Sequence, residues 1–392
     1  MSLSPILPGQ WLGILGGGQL GRMFTHAAQA MGYRVCVLDP DAHSPAGMAA
    51  DRHLCAAYLD ESALRIFADL CASVSTEFEN IPAQTLELLQ GWGVFVAPNS
   101  RCIAIAQNRI SEKHLLNLYA DETGIDTAPY WVITEHAHLA QTPAHLFPGI
   151  IKTAHMGYDG KGQINVATHT DLARAWVALG QVPCVFEQRL PLAYEISAIT
   201  VRGHDGAYAQ YNLVENNHRS GILHASLLPA VSPNTLLAQK MCYAARCIAE
   251  KMEYVGVLCV EYFVLDNGHV VINEIAPRPH NSGHATIDAC YTSQFEQQVR
   301  AMARLPLGNV HQFSPALMLN LLGDLWFPVD PTQPVTPDWE KILALPQAQL
   351  HLYGKHTPRV GRKMGHLNLL DSDTEHIKQA YRQACITLGI QP

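Results

Sequence analysis

Residues 255–275 read VGVLCVEYFVLDNGHVVINEI, two runs rich in β-branched and aromatic residues on either side of Asp266-Asn267-Gly268. An Asn-Gly pair between such runs signals a hairpin, because both residues tolerate the positive φ of a tight turn. With a two-residue turn the strands pair Glu261 with Glu274; with a three-residue loop and a bulge they pair Glu261 with Asn273. Like charges facing across a ladder destabilise it unless something bridges them. A Mg2+ ion is the economical bridge, since it takes carboxylate oxygens and completes its shell with phosphate oxygens and water. Glu261 and Glu274 are therefore the expected metal pair, with Asn273 a candidate oxygen ligand if the register is the bulged one, against the alternative of two solvated glutamates on an exposed face.

The hairpin runs directly into Ala276-Pro277-Arg278-Pro279-His280-Asn281-Ser282-Gly283-His284. Proline-framed Arg278 suits a small anion held beside the metal. His280 and His284 have the spacing of a helical zinc pair, but Gly283 and the prolines argue against a regular helix there. Upstream, Lys152 ends the apolar run Ile150-Ile151 and needs an anionic partner to offset its desolvation. The following Met156-Gly157-Tyr158-Asp159-Gly160-Lys161-Gly162-Gln163 leaves backbone amides open to phosphate and adds a lysine, although a plain surface hairpin has the same composition. Strand-like runs at 150–152 and 184–187, with a helix over 171–179, suggest a small lobe above a nucleotide.

At the other end of the chain, a strand over 11–15, a glycine turn at 16–18, a helix to Met31 and a strand over 34–38 make a βαβ unit. Gly16, Gly18 and Gly21 with Asp39 imitate a dinucleotide fingerprint, but the rest of the chain shows no second half built for a nicotinamide or flavin. Further segments, including the run 71–74 before Ser75-Thr76-Glu77-Phe78-Glu79-Asn80, extend this to an open α/β domain through Pro98. A helix from Asn108, with a stop at Gly124, places a boundary near Gln107. Capping boxes at Ser293/Glu296 and Ser372/Glu375 start two late helices. Lys355, Arg359, Arg362 and Lys363 lie among Gly354, Pro358 and Gly361, a cluster suited to the phosphate of a second substrate or to a solvated basic loop.

Bulk properties bound these readings. The 392 residues favour two or three domains around a cleft. With 48% apolar and 15% charged residues the composition is globular. No apolar run is long enough to span a bilayer, and residues 1–10 do not resemble a signal or transit peptide, so the cytoplasm is expected. Ten cysteines without a C-x-x-C pair read as reduced core residues. A formal charge of −8 and the lack of a basic, aromatic-interleaved stripe argue against a nucleic-acid partner.

Lys152, the 158–163 loop, Glu187-Gln188, Glu195, Glu261 and Asn273-Glu274, taken in order, resemble the ATP-grasp superfamily over the middle half of the chain. Within it, Gly17-Gly18-Gln19-Leu20-Gly21-Arg22-Met23, Thr76 to Asn80, His280 to His284 and Gly361 to Asn368 look like the N5-carboxyaminoimidazole ribonucleotide synthase family over nearly the whole length. The resemblance implies an α/β and α+β protein, with an ATP-grasp fold preceded by an open parallel α/β domain and followed by a small C-terminal domain. The implied bounds are 1–106, 107–303 with a lid lobe at about 125–190, and 304–392. The implied reaction is ATP- and Mg2+-dependent carboxylation of 5-aminoimidazole ribonucleotide by bicarbonate through carboxyphosphate, releasing ADP and phosphate.

By the same resemblance Arg109 and Lys152 approach the ATP phosphates together with Gly157, Tyr158, Asp159, Gly160, Lys161, Gly162 and Gln163. Glu187, Gln188, Arg189 and Leu190 form the adenine segment, Glu195 holds the ribose, Asn273 and Glu274 complete the site, and Glu215 occupies a place where some relatives carry histidine. Gln19, Leu20, Glu77, Asn281 and Ser282 line the ribonucleotide pocket, and Lys355, Arg362 and Lys363 take its phosphate. Arg278, His280 and Lys152 act on the developing charge, without a covalent nucleophile. A homodimer is implied, with 317–328 as a stretch to feed its interface. Competing readings are another ATP-grasp carboxylate–amine ligase, an NAD-dependent oxidoreductase built on the first domain, and a catalytically silent nucleotide-binding protein.

Overall fold

A strand buried on both faces needs an unbroken apolar run, and Trp11–Leu15 and Arg34–Leu38 supply it. In the computed structural model, which describes residues 4–155, 162–330 and 332–391, they are neighbours in a five-stranded parallel sheet. Its order is Arg52–Leu54, Arg34–Leu38, Trp11–Leu15, Ser73–Thr76, Phe95–Val96. The helix Gln19–Ala30 makes the crossover between the first two strands of the chain. The run expected at 71–74 is therefore strand from Ser73, because Cys71 still caps the preceding helix.

The second sheet has nine strands. Val270–Ala276 forms one edge, followed by Gly256–Leu265, Leu192–Arg202, Val214–Arg219, Ile222–Leu228, Ala316–Leu322, Lys363–Leu370 and Ala348–Leu352, while Tyr208–Gln210 pairs beside Leu192–Arg202. The strand Ala316–Leu322 pairs with Ile222–Leu228, so the C-terminal strands prolong the central sheet. Its residues are mostly buried, so the first half of the 317–328 stretch belongs to the core of this chain. One face of the sheet packs on the helix Thr235–Lys251 through Met241, Ala244, Ala245 and Ile248.

The hairpin settles its two register alternatives in an unforeseen way. Leu265 N–H donates to His269 O at 2.8 Å and Gly268 N–H to Leu265 O at 2.8 Å, so Asp266, Asn267 and Gly268 all belong to the loop, with Gly268 at φ 80°. This pairs Tyr262 with Ile272, but a bulge then skips Asn273 and restores Glu261 opposite Glu274. Two one-residue shifts cancel, and the skipped residue is the asparagine expected to add an oxygen.

A third, four-stranded antiparallel sheet, Tyr130–Ile133, Cys184–Gln188, Gly149–Thr153, Gln163–Val166, carries the helix His169–Ala178 on a core of its own. This is the small lobe read from the sequence. Gly157, Tyr158, Asp159, Gly160 and Lys161 lie outside the described residues; Gly162 and Gln163 are within them.

Of the two expected capping boxes, Ser293 does accept from Glu296 N–H, although the Glu296 carboxylate turns to Arg300 instead of reaching back. At the last helix the cap is Asp373, which accepts from Glu375 N–H, not Ser372. The carboxylate, one residue later, is the stronger acceptor. The described cysteines are free, and most are buried.

Candidate active site

A single cavity of about 1450 Å3 runs between the three sheets and is lined by residues from the glycine-rich start, the 77–80 segment, the lobe strands at Lys152 and Glu187, the hairpin with Arg278 and His280, and the 355–363 cluster. At its metal end, Glu261 and Glu274 face each other across the bulged ladder. Burial, then the Glu274 charge, pushes the Glu261 carboxyl well above the ordinary carboxylate range. Asn273 is buried, and its Oδ1 has no hydrogen-bond partner. Two opposed carboxylates and an unpartnered amide oxygen are an all-oxygen donor set, which fits a hard divalent cation. Arg109 Nη1 donates to Glu274 Oε2 at 3.1 Å.

Next along the cavity, Lys152 Nζ donates to Glu187 Oε2 at 2.8 Å, and Lys113 Nζ lies 3.4 Å from Glu187 Oε1. The partner that the buried lysine demands is therefore a carboxylate of this chain, Glu187, which also lines the cavity. Burial alone would raise the Glu187 carboxyl, but Lys113, Lys152 and Arg109 outweigh it and hold it at about 2. Lys113, fully buried, also donates to Asn273 O at 2.9 Å, tying the strand of the lobe to the metal strand. Gln188, Arg189, Leu190, Gly162 and Gln163 do line the cavity.

The glycine-rich start is closed to a dinucleotide. Gly17 N–H donates to Asp39 Oδ2 at 2.7 Å, Gly18 N–H to Glu77, and Leu20 N–H to Glu77 Oε1 at 3.1 Å. The amides that would cradle a phosphate are spent on two carboxylates of the domain itself. A Cβ at Gly18 would lie 2.1 Å from Glu77 Oε1, so glycine is required for the approach of Glu77. Gln19, Leu20 and Glu77 line the cavity together with Glu79 and Asn80. Gln19 Oε1 accepts from Lys355 Nζ at 2.8 Å, and Lys355 also donates to Lys363 O at 2.7 Å. Arg362 and Lys363 line the same end, as does Arg359.

Between these ends lies Arg278, whose Nε donates to Glu79 Oε2 at 2.6 Å. Burial opposes its charge, but Glu79 more than compensates, and the guanidinium stays ionised. His280 Nε2 lies 3.1 Å from Glu261 Oε1, and its Nδ1 lies 2.8 Å from Ser282 Oγ. Asn281 lines the cavity with neither amide atom partnered. Ser282 does not line it: the hydroxyl is fully buried behind His280. His284 turns away to Gln294 and the ring of His366, so no zinc pair forms with His280.

One further expectation is corrected. Glu215 is absent from the cavity: strand pairing sets it opposite Ile196, on the face away from Glu195 and Glu261, and its carboxylate accepts from Ser232 N–H. The histidine of this segment is His218, whose Nδ1 lies 2.9 Å from Glu195 Oε2 and which lines the cavity. Burial would lower its pKa, but Glu195 raises it overall. Glu195 lines the cavity as well, beside the His218 it holds. Sequence reasoning missed Lys113, His218 and the role of Glu79; only Glu79 sat in a quoted motif.

This cleft can hold a triphosphate on Arg109 and Lys152, a cation on the carboxylates, and a phosphorylated amine among the basic cluster. Three family models match in order: the ribonucleotide synthetase preATP-grasp domain over residues 10–107, the ATP-grasp domain over 118–295, and the phosphoribosylaminoimidazole carboxylase C-terminal domain over 316–380. The N5-carboxyaminoimidazole ribonucleotide synthase of Brucella melitensis is 40% identical, covering 95% of this chain and 100% of its own. The chain belongs to the N5-carboxyaminoimidazole ribonucleotide synthase family. Its relative of the same name in Bacillus subtilis is 38% identical over 94% of both chains. Among solved structures, the Staphylococcus aureus N5-carboxyaminoimidazole synthetase with ADP superposes at TM-score 0.87 with 34% identity, covering 98% of this chain and 99% of that one. The Aspergillus clavatus synthase with ADP and 5-aminoimidazole ribonucleotide does so at 0.85 with 29% identity, covering 97% and 98%. As a member of the N5-carboxyaminoimidazole ribonucleotide synthase family, the chain is an ATP-grasp ligase with the fold expected: a parallel α/β domain, the ATP-grasp region and a C-terminal domain.

Proposed function

We propose that this ligase carboxylates the exocyclic amine of 5-aminoimidazole ribonucleotide with bicarbonate, using ATP and Mg2+ and passing through carboxyphosphate to N5-carboxyaminoimidazole ribonucleotide, ADP and phosphate. The observation that carries the reading is the continuity of one cavity from the Lys152–Glu187 pair, past Glu261 and Arg278, to Gln19, Glu77 and Lys355.

Mg2+ would be held by Glu261, Glu274 and the Asn273 amide oxygen, and supplies charge neutralisation between the phosphates. Arg109 and Lys152 orient the transferred phosphoryl group, with Glu187 exchanging its hold on Lys152 for that of Lys113 alone. Arg278, fixed by Glu79, offers its remaining N–H groups to the bicarbonate-derived oxyanion in a buried site, where a preorganised cation acts strongly. His280 abuts the same space. Lys355, Arg359, Arg362 and Lys363 bind the ribonucleotide phosphate, and Gln19 and Glu77 present the aminoimidazole. His218 with Glu195 borders the nucleotide in the place first given to Glu215.

The reading includes three units, 1–106, 107–303 and 304–392, a homodimer, and a cytoplasmic enzyme. Among the described residues no helix is long and apolar enough to cross a membrane. Sedimentation would test the dimer.

The deciding experiment is ADP release with ATP, Mg2+ and bicarbonate, with and without the ribonucleotide, alongside incorporation of labelled bicarbonate. Stimulation by the ribonucleotide and an acid-labile labelled product are expected. ADP release indifferent to it would sink the assignment in favour of another carboxylate–amine ligase.

A further inference from the structure

Cys259 and Glu261 are two residues apart on the strand Gly256–Leu265, so their side chains share a face, and His280 arrives over that face after the neighbouring strand ends. The Cys259 sulfur, a Glu261 carboxylate oxygen and a His280 ring nitrogen all lie within 4.8 Å of one another. We propose that these three residues form a binding site for a thiophilic divalent cation, Zn2+ or its analogues, at the inner wall of the active cleft.

The donor set decides the class of ion. Sulfur, imidazole nitrogen and one carboxylate oxygen suit a borderline-soft ion such as zinc, with a water in the fourth position, and are poor for Mg2+, which demands oxygen. The ligands are also held from behind. His280 has its Nδ1 2.8 Å from Ser282 Oγ, which aims Nε2 at Glu261. The hydroxyls of Ser197 and Ser282 lie near the Cys259 thiol. Ser282 thus gives His280 the kind of outer support that metal-binding histidines ordinarily have. Glu261 and His280 line the cavity, which gives the ion its path, and fully buried Cys259 lies behind them. On binding, the thiol passes its proton to solvent, and thiolate, carboxylate and neutral imidazole balance the two positive charges, so the buried site is left without net charge.

The site overlaps Glu261, and this consequence rests on the proposed Mg2+ role of that residue: zinc and Mg2+–nucleotide exclude each other, and zinc inhibits.

The test uses the full-length protein freed of divalent ions and titrated with Co2+ as a spectroscopic stand-in. A thiolate-to-cobalt charge-transfer band is expected in the unaltered protein and not in Cys259→Ser, with Zn2+ affinity weakened about tenfold or more. A band that survives in Cys259→Ser, or its absence from the unaltered protein, overturns the site. Should Cys259→Ser fail to fold, X-ray absorption of the zinc-loaded unaltered protein decides: one sulfur neighbour at about 2.3 Å supports the site, and none overturns it. Addition of Mg2+ with ADP should bleach the cobalt band. Failure to bleach it, with the Cys259 dependence intact, overturns the shared use of Glu261 and leaves the thiophilic site standing.

Discussion

Lys152 reaches Glu187 at 2.8 Å, and the same carboxylate is held from its other oxygen by Lys113 at 3.4 Å. All three groups are nearly or wholly withdrawn from solvent, so none can lose its partners without leaving a buried charge. Lys113→Met should therefore destabilise the protein by about 3–5 kcal/mol, the usual cost of breaking a buried pair. Urea denaturation measures it. A loss below about 1 kcal/mol, the value of an exposed pair, would show that Lys113 is not part of the buried network.

Glu261 and Glu274 oppose each other across the ladder, an arrangement that the fold maintains against burial and repulsion. Glu261→Gln relieves both, so the ligand-free protein should gain about 0.5–2 kcal/mol while activity falls about a hundredfold or more through loss of cation binding. Thermal unfolding with and without Mg2+ and ADP reads both: the variant should unfold higher alone and lose its ligand-induced stabilisation. A variant that is less stable and still stabilised by Mg2+ and ADP would remove Glu261 from the metal set.

The acid limb of stability is set in part by His284 and His366, which burial holds well below the ordinary imidazole pKa near 6.5. Both are neutral when folded, whereas the unfolded chain protonates them below about 6.5. Their contribution is complete above that pH and is lost as pH falls below it. His366→Gln removes one such group, and the fall in stability between pH 6.5 and 5 should become shallower by at most about 1.4 kcal/mol per pH unit. An unchanged slope in denaturant midpoints would place the acid sensitivity elsewhere.

What the sequence revealed, and what it hid, follows from how local each signal is. Trp11–Leu15 and Arg34–Leu38 were legible because a strand covered on both faces must be an apolar run. The facing of Glu261 and Glu274 was legible through the two-residue period, although it arises from a longer loop and a bulge that cancel. His218 was passed over for Glu215, a residue taken from the family resemblance; the two-residue period of its strand places His218 with Asn216 on the face of Glu195, and the pairing shift beside it comes from an extra residue, His224, in the neighbouring strand. Lys113 was hidden because its partner Asn273 is 160 residues away, and nothing in its own helix marks it as buried. The ligase chemistry was readable from motifs, whereas the internal carboxylates that occupy those motifs, Glu187 on Lys152 and Glu77 on the glycine turn, required the fold.

At the substrate end, Arg362→Ala should raise KM for the ribonucleotide about 10- to 100-fold, as a charge-assisted hydrogen bond of about 1.5–3 kcal/mol predicts, and leave KM for ATP near its original value. Steady-state kinetics with each substrate varied in turn makes the comparison. Equal effects on both constants would mean that the basic cluster serves the nucleotide or the fold.

Gly18→Ala tests whether the glycine turn exists for Glu77. At φ −78° the backbone itself would accept alanine, so any penalty comes from space. The new Cβ would meet Glu77 Oε1 at 2.1 Å, and the carboxylate must then release the N–H groups of Gly18 and Leu20. Overpacking of this kind costs about 1–3 kcal/mol. Since Gln19 and Glu77 border the ribonucleotide end, kcat/KM for that substrate should fall while ADP binding, measured by calorimetry, stays intact. Gly91→Ala, where no atom lies within 4 Å of the added carbon, is the control and should change neither. Were Gly18→Ala to abolish ADP binding instead, the turn would be a nucleotide cradle after all, and the assignment of the two ends of the cleft would reverse.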